Sequence, residues 1–114
     1  MDIKRIIVEG PDCSGKSTIV DRIKNSLHWD SKSLHHKEGN QFERYAVEYI
    51  GGEKIVFDRA HYSESVYSVL WPHRTDVFLK RELEVLDYLA HRRSLVIFIC
   101  PSLDTLVNRY NARN

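Results

Sequence analysis

The sequence has few of the features that mark disulfide-rich, membrane-spanning or nucleic-acid-binding chains. Its 114 residues include only two cysteines, Cys13 and Cys100, which cannot build a disulfide framework and show no metal-binding spacing. It has no run of 18 apolar residues, so no membrane span is predicted. The formal net charge is only +1, which argues against general binding to nucleic acid or to an anionic membrane. We expect a single cytoplasmic domain over residues 1–114.

What is present is an alternation of strand patterns and helix patterns. Short apolar runs rich in β-branched residues predict strands at 3–8, 54–58 and 95–100, and the polar segment 33–37 is a candidate for a short second strand. Helical spacing of apolar residues predicts helices over 16–27, 42–50, 63–70 and 77–91 and a last helix capped by Ser102. Cys100 ends an apolar run, and we expect it to be buried. Strands that alternate with helices form βαβ units, so the predicted fold class is α/β with an open, mostly parallel sheet.

The first predicted strand runs directly into a glycine-rich segment that fits the phosphate-loop pattern G-x-x-x-x-G-K-[ST]. The segment reads Gly10-Pro11-Asp12-Cys13-Ser14-Gly15-Lys16-Ser17, and Thr18 follows. Such a loop turns backbone N–H groups inward, and the N-terminus of the next helix adds the positive end of its dipole. Lys16 would reach the β- and γ-phosphates, and the Ser17 hydroxyl would bind Mg²⁺. An ordinary strand–turn–helix is the alternative, but the full pattern arises by chance on the order of 0.5% of the time in such a chain. We therefore predict that residues 10–18 bind the phosphates of a nucleotide.

Two charged residues follow the third predicted strand. Asp58 would hold Mg²⁺, directly or through water, and Arg59 would clamp a substrate phosphate with its planar guanidinium. The alternative is an ordinary ion pair at a strand end, which contributes little to stability. We favour the functional interpretation because ligands of parallel sheets bind at the carboxyl ends of the strands.

The segment 6–18 resembles the opening of the thymidylate kinases, which have the pattern E-G-x-[DE]-x-x-G-K-[ST]-T. Asp58-Arg59 is similar to the Asp-Arg signature that these kinases carry after the third strand. Glu9 and Asp12 together with this pair make the resemblance more specific than the phosphate loop alone, and they extend it to the deoxynucleoside kinases. The resemblance implies a P-loop NTPase-type fold, an open parallel sheet with helices on both faces, of which this chain matches the first half to two-thirds.

The resemblance also implies an activity and its site residues. The activity is transfer of the γ-phosphoryl group of ATP to a deoxynucleoside monophosphate in the presence of Mg²⁺, with Lys16, Asp58 and Arg59 as catalytic residues. By position in the family pattern, Asp12 would approach the 3′-hydroxyl of the acceptor and Arg59 its phosphate. Lys37 is close to the sequence position at which the family has an arginine that binds the same phosphate. The family's sequence there is Arg-Glu-Pro, whereas this chain has Lys-Glu-Gly. Phe42 would stack on the acceptor base, or it is simply a core aromatic.

The acceptor could instead be a deoxynucleoside. A nucleotide phosphate is mostly dianionic at neutral pH, so it needs positioning and charge neutralisation rather than a base. A nucleoside 5′-hydroxyl is far less acidic and requires a carboxylate base. Deoxynucleoside kinases place a glutamate at the end of the second strand, where Glu38 is the candidate in this chain. The cations Arg59 and Lys37 favour the monophosphate.

The remaining expectation concerns the arginine that stabilises the transferring phosphoryl group. Some thymidylate kinases carry it in the phosphate loop, where this chain has Cys13, and others on a lid. The segment 103–113 resembles the helix that leads to the lid, so Arg109 and Arg113 are the candidates. We expect the lid and a fifth strand to be missing, which would leave the strand 95–100 as an apolar edge for self-association or for a completing chain. A nucleotide-binding module with little catalysis is therefore a third hypothesis.

Overall fold

The computed structural model describes residues 2–11, 14–34, 40–63 and 78–113. Among these residues, four strands form one sheet, namely β1 (Arg5–Glu9), β2 (Asp30–Ser33), β3 (Ile55–Asp58) and β4 (Ser94–Phe98). Their order in space is β2-β3-β1-β4, and all neighbouring strands are parallel. The predicted α/β class with an open parallel sheet is confirmed.

In the part of the chain that the structure describes, four helices of eleven or twelve residues alternate with these strands, namely α1 (Lys16–Leu27), α2 (Gln41–Gly51), α3 (Lys80–His91) and α4 (Leu103–Arg113). Two of these helices, α2 and α4, have polar N-cap side chains that accept a hydrogen bond from the first turn. The Asn40 Oδ1 atom accepts the Glu43 N–H at 3.1 Å before α2, and the Ser102 Oγ atom accepts the Thr105 N–H at 3.2 Å before α4. Residues 61–63 are also helical, and the rest of the helix predicted over 63–70 lies outside the described residues. Within the described parts of the chain, no helix combines the length and apolar character needed to cross a membrane.

The sheet is covered on both faces because successive strand residues point to opposite sides. Ile6, Val8 and Val56 are buried together with Val20 of α1 and form the α1-face cluster. Ile7 and Phe57 are buried on the other side with residues of α2 and α3 and form the α2/α3-face cluster. Helices on both faces, as the sequence resemblance implied, are therefore confirmed.

Two sequence predictions about strand bounds differ from the structure. The described second strand covers Asp30–Ser33, whereas it was expected over 33–37, of which 35–37 lie outside the described residues. All four residues of this strand are exposed. Within the described residues it is an edge strand that pairs only with β3, and its exposed polar residues give no apolar alternation that a sequence pattern could detect. Cys100 was expected to be buried but is exposed, because β4 ends at Phe98 and Cys100 lies beyond it.

Arg5 is an unexpected member of the core, since it is only 2% exposed within β1. Its guanidinium donates hydrogen bonds to the backbone carbonyls of Tyr49 and Gly52 at the end of α2 and of Leu89 and Arg92 at the end of α3. The last carbonyls of a helix have no partner within the helix. One buried arginine therefore caps two helices and ties both to the sheet.

Candidate functional site

The carboxyl ends of β1 and β3 bring two of the predicted site residues into contact. The Nζ atom of Lys16 lies 3.4 Å from Oδ1 of Asp58, and the two side chains are 8% and 22% exposed. Asp58 is the last residue of β3 and lies opposite Val8 of β1, so its position depends on the register of these parallel strands. The Oδ1 atom of Asp58 is buried and makes no hydrogen bond within the described residues, so the lysine contact is an ion pair only. The pair places an ammonium group at the carboxyl ends of the strands. Beside it lies a carboxylate that has one oxygen without a hydrogen bond among the described residues.

The two glycines of the phosphate loop disfavour a side chain for different reasons, close packing at Gly10 and backbone conformation at Gly15. A Cβ atom on Gly10 would lie 2.9 Å from Ser14 Oγ and 3.2 Å from the carbonyl oxygen of Ile99. Gly15 has a φ of +90°, a conformation that side chains disfavour. The Ser14 hydroxyl is buried and has no hydrogen-bond partner in the part of the chain that the structure describes. Asp12 and Cys13 lie outside the described residues. A tight loop with an unsatisfied buried hydroxyl fits a bound phosphate.

Helix α1 begins without the side-chain caps that begin α2 and α4. The N-cap of α1 is Gly15, which has no side chain, and its first turn contains no acidic residue. The first N–H groups of a helix have no partner within the helix, and the dipole places positive charge there. Lys16 adds a full positive charge in the same turn, beside the exposed Ser17 and Thr18. This helix end is suited to an anion.

The turn after β3 has an unusual backbone at Arg59. Its φ is +76°, in the left-handed region, and its N–H donates to the carbonyl oxygen of Val8 at 2.9 Å. The next N–H, that of Ala60, donates to Oε1 of Glu9 at 2.5 Å. The hydroxyl of Ser63 donates to the other oxygen of Glu9, at 2.6 Å. The Glu9 carboxylate therefore connects the end of β1, directly before the phosphate loop, to the turn that contains Asp58 and Arg59 (the Asp-Arg turn).

Glu9 is only 4% exposed, and this burial controls its electrostatics. Burial raises the pKa of the Glu9 carboxyl. The hydrogen bonds from Ser63 and Ala60 and the positive charges of Lys16 and Arg59 lower the same pKa and partly offset the burial. Sequence analysis noted Glu9 only as part of a motif, and its contacts became visible only in the structure.

A second network fixes the other side of the Asp-Arg turn. Nδ1 of His61 lies 2.8 Å from the Tyr49 hydroxyl, and Nε2 lies 2.6 Å from Oδ1 of Asp87. The His61 backbone N–H also donates to the Tyr49 hydroxyl at 3.0 Å. These contacts fit a neutral imidazole that accepts from tyrosine and donates to aspartate. No sequence signal marked these three residues, which come from the turn, α2 and α3.

Arg109 is the one predicted lid-side arginine whose side chain is described, and it lies beside the phosphate loop. Its Nη1 atom is 3.6 Å from the point where a Cβ on Gly15 would lie. The side chain of Arg113, the last residue of α4, lies outside the described part. Helix α4 therefore brings a guanidinium to the same end of the sheet as Lys16.

The predicted acceptor residues are less completely described. Phe42 is partly buried and packs against the α2/α3-face cluster, as its interpretation as a core aromatic expects. Lys37 and Glu38 lie outside the described residues. Arg59 is half-buried beside Glu9.

The oxygen atoms at this site are suitable for magnesium. Mg²⁺ prefers oxygen ligands and is usually held by one or two protein groups together with substrate phosphates. The Ser17 hydroxyl and the Asp58 carboxylate are such groups, and Asp58 has an oxygen free of hydrogen bonds among the described residues. No cluster of three or more His, Cys, Asp or Glu side chains suited to a metal occurs in the described parts. These residues could hold a nucleotide-bound Mg²⁺.

Comparison with solved structures identifies the fold. No protein-family model matches this chain, and no curated protein matches it. The YorR protein from Bacillus subtilis, solved in complex with phosphorylated GDP, is similar with a TM-score of 0.84 and 24% identity. That match covers 96% of this chain and 67% of the YorR chain.

Deoxyadenosine kinase from M. mycoides is similar in two structures. One contains dATP, with a TM-score of 0.54 and 20% identity over 96% of this chain and 71% of the kinase. The other contains the products dCMP and dCDP, with a TM-score of 0.55 and 19% identity over 96% of this chain and 70% of the kinase. The chain therefore has the same α/β fold as these proteins, an open parallel sheet with helices on both faces.

Proposed function

We propose that this protein is a nucleotide kinase that transfers the γ-phosphoryl group of ATP to a deoxynucleoside monophosphate. The observation that carries the proposal is the contact between Lys16 and Asp58 beside the uncapped N-terminus of α1. A lysine at that place would bind the β- and γ-phosphates, and the neighbouring carboxylate would bind the magnesium that accompanies them. A merely structural ion pair would not need the tight glycine turns of the loop.

The residues of the site have separate tasks in this proposal. Lys16 and the N–H groups that begin α1 would orient the phosphates of ATP. Ser17 and Asp58 would hold Mg²⁺, which, when bound, neutralises charge on the transferring group. Arg59 would hold the acceptor phosphate, and Arg109, beside Gly15, would approach the transferring phosphoryl group. Phosphoryl transfer depends mainly on such positioning and on charge stabilisation.

The positive charge of the turn supports a monophosphate acceptor. Arg59 supplies a planar cation that suits a phosphate dianion, and Lys37 is the second proposed cation. Asp12 would accept a hydrogen bond from the 3′-hydroxyl of the acceptor sugar, and Phe42 would lie against its base. The similar structures were solved with phosphorylated GDP, dATP, dCMP and dCDP, which supports a nucleotide ligand.

A deoxynucleoside kinase is the second candidate, because two of the similar structures are of deoxyadenosine kinase. In that case Glu38 would act as the base for the 5′-hydroxyl. Coupled detection of ADP release with matched deoxynucleoside and deoxynucleoside monophosphate panels separates the two. Faster turnover of the nucleosides, lost in Glu38→Gln, would replace the monophosphate proposal.

We also propose that the edge of β4 associates with a second copy or a completing chain. β4 pairs only with β1 in the described sheet, and its residues Leu95 and Phe98 are 44% and 58% exposed. An open apolar edge readily adds another strand.

Calorimetric titration of ADP with Mg²⁺ tests the nucleotide site. Lys16→Ala should weaken binding at least about tenfold, because the phosphates lose the ammonium that lies at the N-terminus of α1. Lys24→Ala, an exposed lysine in the last turn of the same helix, should bind like the wild type. Equal affinity of Lys16→Ala and wild type would refute the assignment.

Asp58→Asn and Arg59→Ala separate the two ligands. Asp58→Asn should raise the Mg²⁺ concentration needed for half-maximal ADP binding, because an amide is a weaker ligand for Mg²⁺ than a carboxylate. Arg59→Ala should raise the KM of the acceptor while sparing ADP. Equal loss of ADP binding in both variants would contradict this division of tasks.

A further inference from the structure

We propose that Glu9 is a positioning residue that holds Arg59 in its left-handed backbone conformation and thereby places the Arg59 guanidinium. What Arg59 binds rests on the proposed function. The coupling between Glu9 and the backbone of Arg59 does not, because it is visible in the geometry of the turn.

Arg59 has a backbone conformation that is strained for an arginine. A φ of +76° brings the Cβ of an L-residue close to its own backbone, and such residues persist only where the surroundings over-determine them. Hydrogen bonds surround the turn on both sides. The carbonyl oxygen of Asp58 accepts the Leu34 N–H at 2.9 Å, and the Arg59 N–H donates to Val8 at 2.9 Å. Up to this point the chain still follows the ladder of the sheet.

The departure from the sheet occurs at the next peptide. The left-handed residue turns the Ala60 N–H away from the ladder and toward Glu9 Oε1, 2.5 Å away. Ala60 is fully buried, so its N–H cannot use bulk water and needs a partner from the protein. Hydrogen bonds to a carboxylate are about twice as strong as those between neutral groups. The hydrogen bond from Ala60 to Glu9 therefore stabilises the strained conformation of Arg59.

Glu9 is well placed for this task because its own position is fixed by three elements. It ends β1 and is followed by Gly10 of the phosphate loop. Its carbonyl oxygen accepts the Ile99 N–H at 2.9 Å, and its second carboxylate oxygen accepts the Ser63 hydroxyl. One residue thus links the strand before the phosphate loop, the end of β4 and the Asp-Arg turn.

Removal of the carboxylate would release the turn. In Glu9→Ala the buried Ala60 N–H loses its partner, and Arg59 can relax toward an extended conformation. Its guanidinium would then move relative to Lys16, which stays on α1. Displacement of a positioning group by about 1 Å can cost about 10²-fold in rate.

The backbone part of the proposal is tested without any activity. Amide hydrogen exchange at Ala60 should be slow in the wild type and at least tenfold faster in Glu9→Ala. Arg59→Gly should raise the melting temperature of the wild type, because glycine adopts a positive φ freely. The same substitution in a Glu9→Ala background should not raise it. An additive effect of the two substitutions on melting temperature would overturn the coupling.

The functional part uses a panel of deoxynucleoside monophosphates and Mg²⁺–ADP. Glu9→Ala should raise the acceptor KM by about ten- to a hundredfold while the Kd of ADP changes less than about threefold. Glu9→Gln keeps one carbonyl oxygen for Ala60 and should recover part of the loss. Glu82→Ala, which removes the hydrogen bond to the Leu79 N–H before α3 on another part of the surface, controls for lost stability and should leave the acceptor KM unchanged.

The possible outcomes separate the two proposals. An unchanged acceptor KM in Glu9→Ala, with Ala60 exchange accelerated, overturns the positioning role. Absence of kinase activity in the wild type refutes the proposed function, while the exchange and melting measurements still decide the coupling. If Glu9→Ala does not fold, Glu9→Gln and Ser63→Ala, each of which weakens one of the two carboxylate contacts, should give intermediate exchange rates at Ala60. Wild-type exchange in both would overturn the proposal.

Discussion

Arg5 supports the molecule at the end of the sheet opposite the candidate site. Its buried guanidinium satisfies carbonyls at the ends of α2 and α3 and receives further support from Ser94, whose Oγ accepts the Nε–H at 2.9 Å. We predict that Arg5→Met lowers the free energy of unfolding by at least about 3 kcal/mol, because several buried carbonyls lose their donor together. Arg5→Lys should cost less, since an ammonium keeps the charge but not the planar fork.

Urea unfolding measures this prediction. The exposed Arg81→Met on α3 is the matched control and should change the free energy of unfolding by no more than about 0.5 kcal/mol. Similar values for the Arg5 and Arg81 variants would show that the guanidinium does not hold the helices.

His61 gives the stability a defined pH dependence. Burial lowers the pKa of His61, and the hydrogen bond and charge of Asp87 oppose this only in part. The unfolded chain therefore takes up a proton that the folded protein resists, so the free energy of unfolding should fall as the pH drops below about 6.5. Glu9 acts in the opposite sense at lower pH, because its pKa is raised in the folded protein.

Unfolding measured between pH 7.5 and pH 5.5 tests this assignment. His61→Gln should flatten the slope, whereas His28→Gln, at an exposed position after α1, should keep it. An unchanged slope in His61→Gln would assign the pH dependence to other groups.

At the scale of elements, the two edges of the sheet differ in chemistry. β2 has the sequence Asp-Ser-Lys-Ser and exposes all four residues, so charge protects it from further pairing. β4 has the sequence Ser-Leu-Val-Ile-Phe and carries no charge. We predict concentration-dependent association through β4, and Leu95→Lys together with Phe98→Lys should abolish it.

Sedimentation over a range of protein concentrations measures this association. Ser31→Lys on the β2 edge is the control and should leave it unchanged. A wild type that remains monomeric at all concentrations, or a double lysine variant that associates normally, would contradict the prediction.

At the scale of the whole molecule, nucleotide binding should stabilise the fold, because the site brings together the ends of β1 and β3, the start of α1 and Arg109 of α4. ADP with Mg²⁺ at a hundred times its Kd should raise the free energy of unfolding by about 2.7 kcal/mol. For a domain of this size the melting temperature should rise by roughly 10 °C. Lys16→Ala should lose most of this shift under the same conditions. An equal shift in that variant would place the nucleotide elsewhere.

We also predict that these 114 residues bind nucleotide better than they transfer phosphate. An arginine held at the transferring group can contribute about 10³–10⁵ in rate. Arg109 is the described candidate, but it approaches the loop from a largely exposed helix, so we expect it to contribute only part of this rate. Steady-state turnover should therefore lie well below the usual range of about 1–100 s⁻¹. A monodisperse monomer that turns over within that range would refute the prediction, and Arg109→Ala should slow whatever turnover is measured.

The sequence by itself determined the local features of this protein. The apolar run of β1, the glycines of the phosphate loop and the apolar face of α1 follow one another without interruption, so a local pattern suffices to predict strand, turn and helix. Asp58 and Arg59 were predicted for the same reason, since they end a short apolar run. The cap at Ser102 depends on a neighbour only three residues away.

Only the tertiary structure decided the contacts between residues far apart in the chain. Arg5 follows the charged Lys4, so the sequence alone indicates a surface position. In the folded protein the last carbonyls of α2 and α3 surround its guanidinium and the side chain is buried. β2 carries no apolar pattern, because its position depends on pairing with β3 at an exposed edge. Glu9 reaches Ala60 and His61 reaches Asp87 only after parallel pairing has set the strands in register. Side-chain patterns report local conformation, whereas these hydrogen bonds form between segments that meet only when the sheet and its helices have assembled.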